Sequence, residues 1–246
     1  WQEEPEVNPW SISFKQGLFN MSSDSELFLE RDELCSSGGR VIGNKIEKDA
    51  ETFLPLYEAK MLHHYDHRFG TYEGQTEAQA AMSKLPEASP ENHADPNFVT
   101  FPRYWVAQKE VEERLKDRWS HSWFLAFRDI TNTTNERTVI ASILPRVGVG
   151  NPAPLILPPD DIRADLFACF YSTICSLPFD YLARQKIGGT HLNYLYFKQL
   201  PVIPPDVFLG GSPVPELTLK DWIASRVVEL QYTSHDMAPF ARDCGY

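Results

Sequence analysis

SWFLAFRDI (residues 122–130) and RTVIASILP (137–145), joined by TNTTNE (131–136), are two β-rich runs on either side of a turn-forming hexapeptide. Trp, Phe, Val and Ile suit a pleated, buried surface, and Thr and Asn favour turns by bonding their own backbone. A hairpin is therefore the simplest arrangement. Working outward, FPRYWV (101–106) reads as a further strand and KEVEERLKDRW (109–119) as an exposed helix. Downstream, DDIRADLFACFYSTICSLPFDYLARQK (160–186) is helical in period, with Asp160 or Asp161 near its start and Pro178 interrupting it. LTLKDWIASRVVELQYTS (217–234) is a final amphipathic helix. Near the beginning, SDSELFLERDELCSSGG (23–39) predicts a short helix stopped by glycine, and RVIGNKIEK (40–48) a hairpin through Gly43-Asn44. FLPLYEAKMLHHYDHRF (53–69) predicts an extended segment around Pro55 that passes into a turn or short helix. The expected class is α+β, a mixed short-stranded sheet with peripheral helices.

The 246 residues carry 23 basic and 34 acidic side chains, a formal charge of −11, with 42% hydrophobic residues. That is enough chain for a sizeable core, and no apolar run reaches the roughly 18 to 20 residues that span a bilayer. The opening WQEEPEVNPW is acidic where a secretory signal is basic. Cys35, Cys169, Cys175 and Cys244 show no C-x-x-C spacing. Buried or idle thiols in a reducing cytoplasm are thus expected, rather than disulfides or structural zinc. The 19 prolines gather at junctions. Together with KLPEASPENHADPNF (84–98) they divide the chain into an N-terminal portion (1–85), an exposed loop (86–97), a core domain (98–210) and a helical end (211–246). A start at Trp1 without an initiator methionine suggests a piece of a longer protein.

Charge is uneven along the chain. Residues 1–100 hold 8 basic and 18 acidic groups, whereas residues 101–246 hold 15 and 16. Within the second part, residues 181–200 carry Arg184, Lys186 and Lys198 with no acid, so an acidic protein can still present a basic face.

Several constellations could carry chemistry. Glu58-Ala59-Lys60 with Asp49 upstream has the residue types of a Mg²⁺-dependent nuclease, two acids on the cation and a lysine beside the water, though the usual Pro-Asp is missing. His63 and His67, at i and i+4, could share a helix face toward zinc, but the glutamate of H-E-x-x-H is absent. Arg146-Val-Gly-Val-Gly150 lacks dinucleotide-loop spacing and reads as a turn. There is no P-loop, no G-x-S-x-G elbow, and no Asn/Asp-Pro-Pro-aromatic tetrapeptide of the kind that holds a flipped adenine. The polar run from Arg128 to Arg137 is either an exposed turn or a hairpin tip whose Arg and Asn read base edges. Arg184 to His191, with Gly188-Gly189, is a helix end, a phosphate-approaching loop, or both.

Three stretches, FLPLYEAKMLHHYDHRFGTY (53–72), FRDITNTTNERTVIASILPRVGVGNPAPLIL (127–157) and ARQKIGGTHLNYLYFKQLPVIPP (183–205), resemble the C-terminal part of type IIG-like restriction–modification adenine-specific DNA methyltransferases. The likeness spans roughly residues 8 to 205, with Ala59 where many relatives have Gly. It implies a target-recognition domain similar to the TaqI-like specificity domain, which binds double-stranded DNA for an upstream methyltransferase domain of the same bacterial, cytoplasmic polypeptide. That upstream domain would use S-adenosylmethionine, and this fragment would need no cofactor. On this view Lys60, His63, His64 and Arg68 lie near one DNA backbone, Arg128, Asn132, Arg137 and Arg146 near the bases, and Arg184, Lys186, Thr190, His191 and Lys198 on other phosphates. The alternatives are a metal-dependent nuclease using Asp49, Glu58 and Lys60, and a structural protein-interaction module.

Overall fold

The computed structural model describes residues 8–116 and 118–246, so the acidic WQEEPEV opening lies outside the described residues. Strand β1 (Ser13–Lys15) comes first. The 23–39 stretch, read above as one helix, is split into a 3-10 turn (Ser25–Leu27) and helix α1 (Arg31–Ser36). The cause is Leu29, whose N–H and C=O both pair with Trp105, at 3.0 and 2.8 Å, and cannot also serve a helix. Strands β2 (Arg40–Ile42) and β3 (Lys45–Lys48) form the expected tight hairpin, with Ile42 opposite Lys45 and Gly43 at φ +57°, a conformation that suits glycine. Strand β4 (Glu51–Tyr57) returns beside β3 and leads into a 3-10 turn (Ala59–Met61).

The proline-rich connection is exposed over most of its length, as expected of a loop, but carries a short helix. Helix α2 (Glu77–Ala81) precedes it, and within it Ser89 and Asn92 cap α3 (Pro90–Ala94) reciprocally, with Pro90 at the first helical position. Strand β5 (Trp105–Ala107) joins β4 to complete the order β2-β3-β4-β5. Helix α4 (Gln108–Leu115), read above as exposed, buries Val111 and Leu115 four residues apart.

Strands β6 (Trp123–Phe127), β7 (Ala141–Pro145), β8 (Gly148–Val149) and β9 (Leu155–Leu157) follow. The hairpin forms, with Phe127 opposite Ala141, but the connection runs from 128 to 140 and is much longer than TNTTNE. The second sheet has the order β1-β9-β6-β7, and every residue of β6, β7 and β9 is buried, so these strands are covered on both faces. β8 lies parallel to β4, pairing Leu56 with Gly148, and so ties the two sheets together. A side chain at 148 would meet Val106 Cγ2 at 2.6 Å, which leaves glycine there. The fold is α+β: two small, mainly antiparallel sheets with helices around them.

Helices α5 (Ala164–Ile174) and α6 (Leu177–Lys186) bend by 56° at the expected break, where Ser176 caps the second helix and Pro178 sits in its first turn. Arg163, rather than Asp160 or Asp161, occupies the residue before α5. Then come α7 (Tyr194–Phe197), α8 (Leu219–Gln231) and α9 (Ala238–Asp243). No single helix among the described residues is long and apolar enough to cross a membrane. Trp123 packs on Phe167 of α5 and Phe240 of α9, while Phe127 packs on Phe197 of α7. Gln231 of α8 closes the β7 edge, donating to Ile143 O at 3.1 Å and accepting from Ile143 N at 3.3 Å and the Tyr171 hydroxyl at 2.9 Å. One apolar cluster runs from Trp10 through both sheets to Ala241, and a smaller one of Leu34, Ile46, Phe53 and Trp105 lies under the β2–β5 sheet.

Candidate nucleic-acid interface

The long β6–β7 connection is held by one carboxylate. Asp180 of α6 accepts from the N–H groups of Thr138 and Val139 at 2.7 and 2.8 Å and from Arg184 Nε at 2.8 Å. Arg184, one helical turn on, forks onto the carbonyls of Thr133, Asn135 and Glu136 at 2.9, 2.9 and 2.5 Å. Arg137 donates to the Cys175 carbonyl and stands 3.8 Å from Asp180. Burial alone would raise the Asp180 pKa, but the two backbone donors and Arg184 outweigh it, and the carboxyl is held below its ordinary value.

The diglycine segment is stitched to the same connection. Thr131 N donates to Thr190 O at 3.0 Å, Leu192 N donates to Asp129 O at 2.7 Å, and His191 Nδ1 lies 3.4 Å from Asp129. From the other side, Arg128 donates through Nε to Leu62 O at 2.9 Å, with its guanidinium over the Phe69 ring. Its burial brings its pKa down to about 10. His63 stacks on Phe69, and His64 is pushed inward, where neither ring nitrogen makes a hydrogen bond. Burial first, and the Arg137 cation second, lower the His64 pKa to about 4, so its ring is neutral at neutral pH.

These contacts revise the part several residues play. Arg68 is fully buried and donates to the carbonyls of Asp95, Phe98, His93 and Thr233, so it fastens the proline-rich segment and cannot reach a DNA backbone in this fold. Arg128, Arg137 and Arg184, expected at bases and phosphates, shape the loops from inside. Arg146 follows the end of β7 opposite to the 128–140 connection, and is bound to Glu112 at 3.1 and 2.5 Å and to the carbonyls of Trp119 and His121. It is not brought together with Asn132.

What faces outward is smaller. Asn132, Thr134 and Asn135 are exposed on the connection, with Lys186, Thr190, His191 and Lys198 exposed across from them. Lys186 reaches Gln199 at 3.4 Å. Lys60 is partly exposed, 3.7 Å from Glu58 and over the Tyr72 ring, and Glu58 accepts from the Tyr72 hydroxyl. Asp49 lies at the β3–β4 tip, at the opposite end of β4 from Glu58, about 25 to 30 Å away at strand spacing, too far to share a cation. His63 and His67 do not share a helix face: the segment is a tight bend in which His63 and Asp66 pair through their backbones, and His67 turns inward to Asp236 at 3.0 Å.

Two features escaped the sequence reading. Asp180 was visible as an acid four residues before Arg184 in a helical stretch, the spacing of an intrahelical ion pair. Exposed Ile130, Leu177, Tyr181 and Leu195 were not separable from core residues, because apolar periodicity does not say which face is left uncovered. No protein-family model, curated protein sequence or solved structure matches the chain.

Proposed function

We propose that this chain is a DNA target-recognition module of a bacterial adenine-specific restriction–modification methyltransferase, acting with an upstream domain that binds S-adenosylmethionine. The observation that carries the reading is convergence. The three stretches that resemble that family lie far apart in sequence, yet Arg128 bonds Leu62, Thr131 bonds Thr190 and Leu56 pairs with Gly148, so all three build one neighbourhood. Its outward groups suit a division of labour. Lys186, Lys198, Thr190 and His191 supply phosphate donors from the acid-free 181–200 stretch, and the partly exposed Lys60 supplies another from beside Glu58. Asn132, with Thr134 and Asn135, supplies amide and hydroxyl groups of the kind that read base edges. The half-buried Arg128, Arg137 and Arg184, engaged by backbone carbonyls and Asp180, hold the reading loop in shape. The exposed Leu177 and Tyr181, four residues apart on α6, favour a second role as the docking surface for the upstream domain.

The test is selection from a randomised duplex pool, followed by affinity measurements at several salt concentrations. A short site should be enriched. Lys186→Ala should weaken binding to all duplexes alike and lower the salt slope by about one unit, whereas Asn132→Ala should cost about 1–3 kcal/mol on the selected site alone. Absence of any duplex binding at low salt would refute the reading in favour of a protein-interaction module. Mg²⁺-dependent nicking of plasmid, lost in Glu58→Ala, would favour the nuclease.

A further inference from the structure

Away from that face, an open groove of about 680 Å³ lies between the β2–β3 hairpin, α4, the end of β7 and α9. The tight Gly43-Asn44 turn brings Lys45 to one wall. On α9, Ala238 and Pro239 line the opposite wall, and helical spacing places Arg242, three residues beyond Pro239 and four beyond Ala238, on the same side. His235 joins from the preceding 3-10 turn. Among the described residues, the side chains of Lys45, His235 and Arg242 have no hydrogen bond or ion pair.

The acids on the walls are already engaged. Glu112 is held by Arg146 through two bonds, and Asp236 is turned to His67 and Ser234. Asp243, next to Arg242, accepts from His121 and Trp123. The walls carry Lys45, Arg146 and Arg242 against Glu112 and Asp236, a formal +1 on a chain of net −11, with Ser122 and Gln108 as neutral groups on the same walls. Two unpaired cations from separate elements, Lys45 and Arg242, with the His235 ring as a further polar group in a cavity of this size, match an anion with several oxygens better than a single carboxylate, which one guanidinium would satisfy.

We infer that this groove is a phosphate-binding site for a ligand carrying linked phosphates, either a free nucleotide polyphosphate or the backbone of a nucleic acid. It goes beyond the recognition reading and does not depend on it.

Calorimetric titration of the full chain with inorganic pyrophosphate is the test. Saturable one-to-one binding is expected, weakened about tenfold by Arg242→Ala and, separately, by Lys45→Ala. Both positions are exposed, and circular dichroism of each variant establishes that it is folded. ADP binding with the same variant pattern would mark a free nucleotide as the source. Displacement of pyrophosphate by duplex DNA, with a smaller salt slope in Arg242→Ala, would mark the backbone. No saturation up to about 10 mM, equal binding of sulfate, or variants that bind like the parent would each overturn the proposal. Lys186→Ala should leave pyrophosphate binding unchanged, so loss of this site and loss of the DNA-reading face are separable results.

Discussion

Asp180→Ala should unfasten the β6–β7 connection at a calculable cost. Asp180 is 3% exposed and is the shared acceptor for Thr138 N, Val139 N and Arg184. Truncation strands two buried N–H donors, at about 1–3 kcal/mol each, and takes the carboxylate from Arg184, a smaller loss of up to about 1 kcal/mol because that guanidinium is partly exposed and keeps its carbonyl acceptors. These costs describe overlapping losses and do not add in full, so the expected destabilisation is about 2–5 kcal/mol. At about 2–4 °C per kcal/mol for a chain of this size, the melting temperature should fall by roughly 4–20 °C. Asp180→Asn keeps an acceptor for the two N–H groups but loses the charge facing Arg184, and should cost less, about 1–3 kcal/mol.

The pH dependence has a definite sign. Because the folded carboxyl sits below its ordinary pKa of about 3.9, its contribution is present above that value and disappears as pH falls through the lowered folded value. The gap between parent and Asp180→Asn should therefore shrink in acid. Urea unfolding followed by the fluorescence of the six tryptophans measures both effects. A loss below about 1 kcal/mol for Asp180→Ala at neutral pH would refute the view that this carboxylate holds the connection.

Arg68→Ala should cost about 3–5 kcal/mol, and Arg68→Lys should recover less than half of it, since one ammonium cannot span the carbonyls of His93, Asp95, Phe98 and Thr233; full recovery in the same urea assay would overturn the clamp. The His64 ring should titrate near about 4 by NMR. Because the unfolded imidazole takes up its proton near about 6.5, the His64 contribution should fall between those two values and vanish in His64→Phe, while an inflection above about 6 would show that the ring is not buried as described.

The elements legible in the sequence are those set by neighbours a few residues away. The hairpin at Gly43-Asn44 follows from two turn residues, the break before α6 from Pro178, and the buried β6 and β7 from runs that are apolar throughout in β6 and broken only by Ser142 in β7. Local signals failed where a distant backbone competed for the same groups. Leu29 leaves a helix-forming stretch because Trp105, 76 positions on, offers both a donor and an acceptor. The exposed proline-rich connection carries a short helix because Arg68 and a capping box hold it.

The candidate site divides in the same way. Its location on the 128–138 and 184–198 segments was legible from composition, since acid-free basic stretches and Thr/Asn turns are linear features. Which arginines face outward was not. A guanidinium on a flexible stem serves a phosphate or three peptide carbonyls equally well, and the choice depends on whether the fold brings such carbonyls within about 3 Å. For Arg68, Arg128, Arg137 and Arg184 it does, through contacts spanning 25 to 165 positions, so tertiary structure alone decided that Arg68 fastens the proline-rich segment, that the other three brace the β6–β7 connection, and that Asn132, Lys186 and their neighbours face outward.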